Sequence, residues 1–517
     1  MKKILYILTL SAALAACTDD LKLTPVDQLV EGYFPLTDAD AIAAVNGIYQ
    51  YNVISTSYGY LTDLTSELEV SGENPSGAGG LLGSIQWQPS NSYFNSVWNS
   101  TFLAITTAND VIDKLQLPNS VTETLKKRLI GEAKFLRAYY YQYAVQFWGE
   151  VPLILHESQG TGASRAPIDE VYTQIVQDFK DAAEALPPVD DPNFGYASSD
   201  KGRATQGAAY AFLSKIHLIW GQTSDTFDAA AQKEHFRLSI DYANKVTGYE
   251  LEENYADNWV IANKNGKENI FAAQHALTQN SDGSGANHLA HCAFASGFTD
   301  APPHMIISDI KFYNAFDDRD QRKTATYAKT LFNPTTGEDF EFTLPRYRKY
   351  IDTSDPDGSA SNRNIDRTII RYAEIFLLRA EAINEYEGHP TAQAYNDINT
   401  VRRRAFRHSL DEPSIDDIPA GLGYEGFKKA IQDERVFELT YEQNRWTDLV
   451  RWRIYVKTLQ NSGVDRSFGK QNVSLKNYRF PIPESQRNIN PEGLWQNWGY
   501  DGYEEAKTGA DPYKGFE

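Results

Sequence analysis

An all-α, mostly helical chain with irregular, loop-rich interruptions is what the sequence predicts, on three observations. Apolar residues recur at helical spacing over long stretches in both halves of the chain. Proline and glycine fall at the ends of those stretches. Small residues lie opposite aromatic ones along successive helices of similar length, the arrangement of stacked tetratricopeptide-like helix pairs, although no strict period of about 34 residues is present.

In chain order, Thr37 with Asp40 forms a capping box for a helix reaching Gln50. Ser120 with Glu123 has the same pattern before Leu125, Leu129, Ala133, Leu136, Tyr140 and Tyr143, a stripe that stops near Gly149 ahead of Pro152. Pro167 opens a helix to Leu186, which Pro187-Pro188 ends. Ala204 to Gly221 is alanine-rich, as close helix contacts require. Ile369, Tyr372, Ala373, Phe376, Leu377, Ala380 and Ile383 form another stripe, followed by helices over Tyr395 to Arg404, Phe427 to Tyr441 and Trp446 to Leu459. Between them lie Ser71 to Gly83, Gly-rich and leading into Trp87, Tyr93 and Phe94; Ala276 to Pro303; and the polar loop Asp352 to Asn364. Loops beyond about 12–15 residues are uncommon in compact bodies and often carry function.

Composition narrows the function classes. The 517 residues carry 69 acidic against 49 basic side chains, a net charge of −20, which repels nucleic acid and anionic bilayers. Two cysteines, Cys17 and Cys292, exclude a disulfide framework and four-thiolate metal sites. The N-terminus has Lys2 and Lys3 before an apolar run from Ile4 to Leu14, too short to span a bilayer. Leu14-Ala15-Ala16-Cys17 then resembles a bacterial lipoprotein signal; the alternative is an ordinary secretory leader with an incidental cysteine. On the lipoprotein reading residues 1–16 are removed and Cys17 carries acyl chains, each buried methylene adding about 0.8 kcal/mol to the anchor. The mature body is expected as one compact unit, with an N-terminal part over 17–265 and a C-terminal part over 266–517.

The chemical motifs are weak. Gly421-Leu422-Gly423-Tyr424-Glu425-Gly426 matches a dinucleotide fingerprint, but Asp416-Asp417-Ile418-Pro419 stands where a buried strand must precede it, so a turn before a helix is expected. His288, His291, Cys292 and His304 offer ligand atoms without a carboxylate or second cysteine at metal spacing, and read as loop residues. Asp352, Asp355, Asp357 and Gly358 echo a calcium loop that lacks its first and last acids. Arg402, Arg403, Arg404 and Arg407 offset a helix C-terminus. With no HExxH or GxSxG, no catalytic residue, metal or cofactor is assigned, and the expected class is not an enzyme.

Longer segments are more specific. Gly131-Glu132-Ala133-Lys134-Phe135-Leu136-Arg137-Ala138-Tyr139-Tyr140 runs to Trp148-Gly149-Glu150-Val151-Pro152. Gly202-Arg203-Ala204-Thr205, Arg371-Tyr372-Ala373-Glu374 with Arg379-Ala380-Glu381-Ala382, Asn396 to Ala405, and Asp433-Glu434-Arg435 through Arg451-Trp452 follow in order. Phe480-Pro481-Ile482-Pro483 and Gln496-Asn497-Trp498-Gly499-Tyr500 close the series. Together they resemble the SusD/RagB family of Bacteroidetes outer-membrane lipoproteins, except that Trp498 replaces a frequent proline.

The resemblance implies a SusD-like fold with tetratricopeptide-like helix pairs as scaffold. It also implies a cell-surface, outer-membrane location, lipid anchoring and capture of oligosaccharide for a SusC-like TonB-dependent transporter. Peptide capture as in RagB-like members, a surface glycoside hydrolase and a helical adaptor are the alternatives. Arg371, Glu374, Glu434, Arg435 and Asp448 are expected as ion pairs between helices, and Pro-Ile-Pro as a rigid strap. Ligand contacts are expected in the loops, where sugar faces need aromatic platforms beside amides and carboxylates. Tyr58, Tyr60, Glu73, Asn74 and Trp87 form one such cluster, and Asn287, Phe294, Phe298 and His304 the other, with Trp87 foremost. For each aromatic, burial in the core is the competing reading.

Overall fold

The computed structural model describes residues 37–51, 55–72, 74–156, 159, 162–190, 200–275, 306–308, 310–333, 336–352, 365–504, 512–513 and 516. Consecutive helices pack side by side: Glu123–Trp148 against Ile168–Ala185, Gln206–Thr223 against Ala229–Ala243, and Tyr372–Glu387 against Ala392–Ala405. Ala229–Ala243 also packs on Tyr372–Glu387, which joins the two halves of the chain. Most of the buried apolar side chains form one continuous core, with a smaller cluster beneath the last pair and Tyr424–Leu439.

The first capping box forms as the sequence implies. Thr37 N–H donates to Asp40 at 3.1 Å, and Asp40 N–H donates to Thr37 Oγ1 at 3.3 Å. The second does not. Glu123–Trp148 starts after Thr122, whose N–H and hydroxyl both donate to Asp38 at 2.8 Å, so a carboxylate from the helix Asp38–Tyr49 holds the entry to this one. Nearly every residue from Gly131 to Trp148 is buried. A Cβ at Gly131 would lie 2.6 Å from Ala185 Cβ, so only glycine allows this approach to Ile168–Ala185. Gly149, at φ 75°, ends the helix in a backbone region that glycine enters freely.

Several elements differ from the sequence pattern. Ser92–Gln116 is a 25-residue helix capped by Asn91, and Tyr93 and Phe94 belong to it, not to a loop. Ile369 lies in the strand Arg367–Arg371, which pairs antiparallel with Asn269–Ala273. The expected helix over Trp446 to Leu459 is two, Arg445–Arg451 and Tyr455–Asn461, broken at Arg453, whose φ is 60°. The helix Ala229–Ala243 has no clear apolar stripe to announce it. Among the described residues the strands occur only as two-stranded antiparallel pairs, of which Tyr327–Asn333 with Glu338–Tyr347 is the longest.

Buried charge ties the C-terminal half together. Arg371 pairs with Glu268 at 2.7 Å, Glu438 at 2.5 Å and Glu442 at 2.9 Å. Arg404 reaches Glu268 at 2.9 Å and Glu438, and Arg322 reaches Glu434 at 2.6 Å and Glu438 at 3.0 Å. Arg435 joins Asp448 at 2.8 Å to Glu374 at 3.1 Å, as the interhelical reading anticipates. The strap is equally fixed: Phe480 N–H donates to Phe147 O, and Ile482 N–H to the Gln496 amide oxygen, both at 2.8 Å. Gly421, at φ 91°, is a turn before Tyr424–Leu439, as expected.

Candidate functional site

A polar cavity of about 330 Å³ opens beside the Arg371 network. Tandem 3-10 turns, Tyr255–Trp259 and Ile261–Asn263, supply one wall through Asp257, Trp259 and Val260. The short helix Gln321–Thr326 supplies Gln321, Thr324 and Ala325. The chain leaving strand Glu338–Tyr347 adds Arg348, Lys349, Ile351 and Asp352, and Arg407 stands at the rim.

Each wall is fixed by hydrogen bonds to another. Gln321 accepts from Tyr255 N–H at 3.2 Å and donates to Arg404 O at 2.6 Å. Arg348 N–H donates to Thr326 O at 2.9 Å, and Ile261 N–H donates to the Asp352 carboxylate at 2.8 Å. Arg407 follows the helix Ala392–Ala405 in a left-handed conformation, φ 60°, uncommon for a side chain of this size.

The charges of the lining fall into two groups. Lys349 donates to Thr440 O at 2.6 Å and Glu442 at 2.7 Å, and its ammonium lies 4.5 Å from the centre of the Trp259 ring. Burial pushes its pKa down to about 8, against the pull of Glu442. Asp257 accepts from Asn254 at 3.2 Å. Arg348 and Arg407, by contrast, have no acceptor for their guanidinium groups among the described residues, and Arg348 is half-buried. Its pKa is lowered by burial alone, with no carboxylate to restore it. Trp259 is 3% exposed, and its Nε1–H has no partner among the described residues.

The aromatic residues expected as platforms are placed differently. Trp87 is 1% exposed, packed edge-on against Phe94 and Phe480, with Nε1–H donating to Tyr500 Oη at 2.9 Å. Tyr58 stacks on Tyr143 at 4.7 Å and shares a 2.7 Å hydrogen bond with Thr101; Tyr60 packs on Tyr93 at 4.5 Å. All three are core residues: the polar tips of Trp87 and Tyr58 find partners inside, so their burial strands no donor. Asn74 is exposed and accepts from Ser76 N–H at 3.0 Å, which shapes the turn ahead of Ala78–Gly83. Glu73, Asn287, Phe294, Phe298, His304, the other loop histidines, residues 353–364 and Cys17 lie outside the described residues.

A second cavity, of about 180 Å³, is lined by Tyr478, Trp498, Tyr513 and Phe516. Its rings are occupied with one another: Tyr478 stacks on Tyr513 at 5.5 Å, and Trp498 meets Tyr513 edge-on at 6.1 Å. The polar cavity is therefore the better candidate. Sequence patterns do not single out its key residues as ligand contacts: Arg407 reads as a helix-end cation, and Arg348 and Trp259 carry no motif. Their local signal is slight, because they converge from three distant segments, and the rest of the lining adds a fourth.

Comparison with known proteins fits the fold. Residues 240–500 match the family model described as SusD family, and residues 48–218 match one described as starch-binding associating with outer membrane. SusD-like protein P25 of Formosa agariphila is 26% identical over 79% of this chain and 80% of its own length. A SusD homologue from Bacteroides thetaiotaomicron superposes with a TM-score of 0.76 at 22% identity, over 89% of this chain and 96% of its own. A laminarin-binding SusD-like protein does so at 0.69 and 23%, over 90% and 100%. Among the described residues no helix is long and apolar enough to cross a membrane. With the family model matched over half of its length and the fold shared along nearly all of it, the chain belongs to the SusD family.

Proposed function

We propose that the chain is a cell-surface, lipid-anchored glycan-capture protein that delivers oligosaccharide to a SusC-like TonB-dependent transporter. The observation that carries this reading is the family match, whose second model is described as starch-binding associating with outer membrane. The laminarin-binding neighbour supports oligosaccharide over peptide as the ligand class. The lipoprotein-like run ending at Cys17 supports the anchor. Of the loop residues expected to touch ligand, Asn74 is retained as a contact because it is exposed beside a tight turn.

The role is binding and presentation, with the rigid helical scaffold holding the ligand face and the acyl chains holding the protein at the membrane. Affinity purification from native outer membranes tests it. A TonB-dependent barrel is expected to co-purify, and immobilised starch, laminarin or xyloglucan to retain the purified protein. Absence of any barrel removes the delivery role, and failure both on these uncharged glycans and on acidic ones removes the capture role. Cys17→Ala is expected to abolish labelling by a fatty-acid analogue; persistent labelling would refute the anchor.

A further inference from the structure

The polar cavity has more donors than its own chain satisfies. Two guanidinium groups, Arg348 and Arg407, lack acceptors among the described residues, and the buried indole N–H of Trp259 lacks one as well. Buried arginines elsewhere in the C-terminal half are engaged: Arg322, Arg371, Arg404, Arg435 and Arg451 each hold carboxylates, and Arg367 reaches Gln443 and Tyr139. The carboxylates in the lining accept from neutral donors, Asp352 from Ile261 N–H and Asp257 from Asn254, and neither pairs with Arg348 or Arg407. A half-buried arginine without a counter-charge costs solvation, and in a chain of net charge −20 carboxylates to pair with it are plentiful. Such a group is ready-made for an acceptor that arrives from outside. A planar guanidinium binds carboxylate or sulfate oxygens through paired N–H bonds, a geometry that uncharged hydroxyls do not match. The volume lies at the lower end of small-molecule sites, which run from about 300 to 1,000 Å³.

We infer that this cavity is a subsite for an acidic sugar, in which Arg348 and Arg407 hold the carboxylate of a uronate or the sulfate ester of a sulfated residue, with Trp259 Nε1–H donating beside them. The inference rests on the capture reading and narrows its substrate class to anionic oligosaccharides. It also gives so acidic a protein two guanidinium groups with which to hold an anion, beside the lining carboxylates Asp257 and Asp352.

Calorimetric titration of the mature chain tests it with four probes: tetragalacturonate, a sulfated galactose tetrasaccharide, and the uncharged maltotetraose and laminaritetraose. One acidic probe is expected to bind about tenfold or more tightly than either uncharged one, and which of the two does so separates uronate from sulfate. Arg348→Gln and Arg407→Gln are each expected to remove about tenfold of that advantage while the uncharged probes change little. Arg407 is exposed, so its variant reports on binding even if Arg348→Gln fails to fold. Uncharged probes binding as tightly as acidic ones, or acidic binding unmoved by Arg407→Gln, overturns the subsite and leaves the capture reading intact. If none of the four binds, the subsite is overturned, and the capture reading is decided separately by retention on the immobilised glycans.

Discussion

Replacing Trp87 with alanine separates a core residue from a ligand platform. The indole is 1% exposed, wedged between Phe94 and Phe480, and its N–H donates to Tyr500 Oη, which in turn donates to Arg479 O at 2.8 Å. Truncating a buried tryptophan costs about 3–5 kcal/mol, including the cavity left behind. The orphaned acceptor on Tyr500 is part of that cost, and Trp87→Phe isolates it at about 1 kcal/mol plus the lost ring area. A chain this large exposes more surface on unfolding than a small domain, so a urea slope of about 5 kcal/mol/M is appropriate. The alanine variant's midpoint then falls by roughly 0.6–1 M. Far-UV circular dichroism follows the unfolding, and oligosaccharide binding is measured on the folded variant without denaturant. The variant is expected to keep its affinity for whatever glycan the wild type binds. An unchanged midpoint with abolished binding would refute the packing argument and return Trp87 to the ligand site.

Arg371→Gln is expected to cost about 3–5 kcal/mol in denaturant titration, because it removes the one cation shared by Glu268, Glu438 and Glu442 and leaves Arg404, Arg322 and Lys349 to balance three carboxylates in a dry interior; a loss under about 1 kcal/mol would show the network to be solvated. The same carboxylates set an acid limit. Burial alone would raise Glu438, Glu268 and Glu381, but paired guanidinium groups outweigh it and hold all three below their ordinary value of 4.5. The unfolded chain therefore binds more protons at these groups than the folded one. Their stabilisation is complete above about pH 4.5 and drains as pH falls below it, so a midpoint that does not drop between pH 5 and pH 3 would contradict the pairing. Glu69 runs the other way. It is fully buried with neither carboxylate oxygen hydrogen-bonded among the described residues, and burial, then Asp63, raises its pKa well above the usual range. Its stabilisation is present at low pH and is lost as pH rises above about 4.5, so Glu69→Gln is expected to gain stability relative to wild type from pH 5 to pH 8, and a constant difference would count against a buried acid. Gly131→Ala should push two helices apart at a cost of about 1–3 kcal/mol, and a neutral result in the same titration would mean that the pair has slack.

Local signals in the sequence carry far. The Thr37 box, the stop at Gly149, the buried pairs of Arg371 and the interhelical pairs of Arg435 all depend on near neighbours or on charges that no core accepts unpaired. Ser92–Gln116 is hidden because serine, threonine and asparagine are weak helix formers. Ser100, Thr106 and Thr107 are accommodated by donating their hydroxyls to carbonyls one turn back, at 2.8–2.9 Å. Trp87 stands outside every helical stripe, so only tertiary packing tells a platform from a plug. The cavity is illegible for a further reason: its residues come from positions 254–260, 321–325, 348–352 and 407, and nothing in any one segment announces the others.

The Arg371 network also orders events in time. Its members are spread from Glu268 to Glu442, and in a chain delivered N-terminus first across a membrane the acids at 434–442 follow the arginines at 322, 371 and 404. Until they arrive, Asp320 and Glu268 are the network acids those arginines can meet, and the C-terminal helices lack most of the charge pairs that hold them together. Long-range closure of this kind is slow, and it leaves the incomplete chain open and available to chaperones while the rest is made. A chain ending before Asp433 would lack Glu434, Glu438 and Glu442 together, and with them the carboxylates that Arg322, Arg371 and Arg404 share.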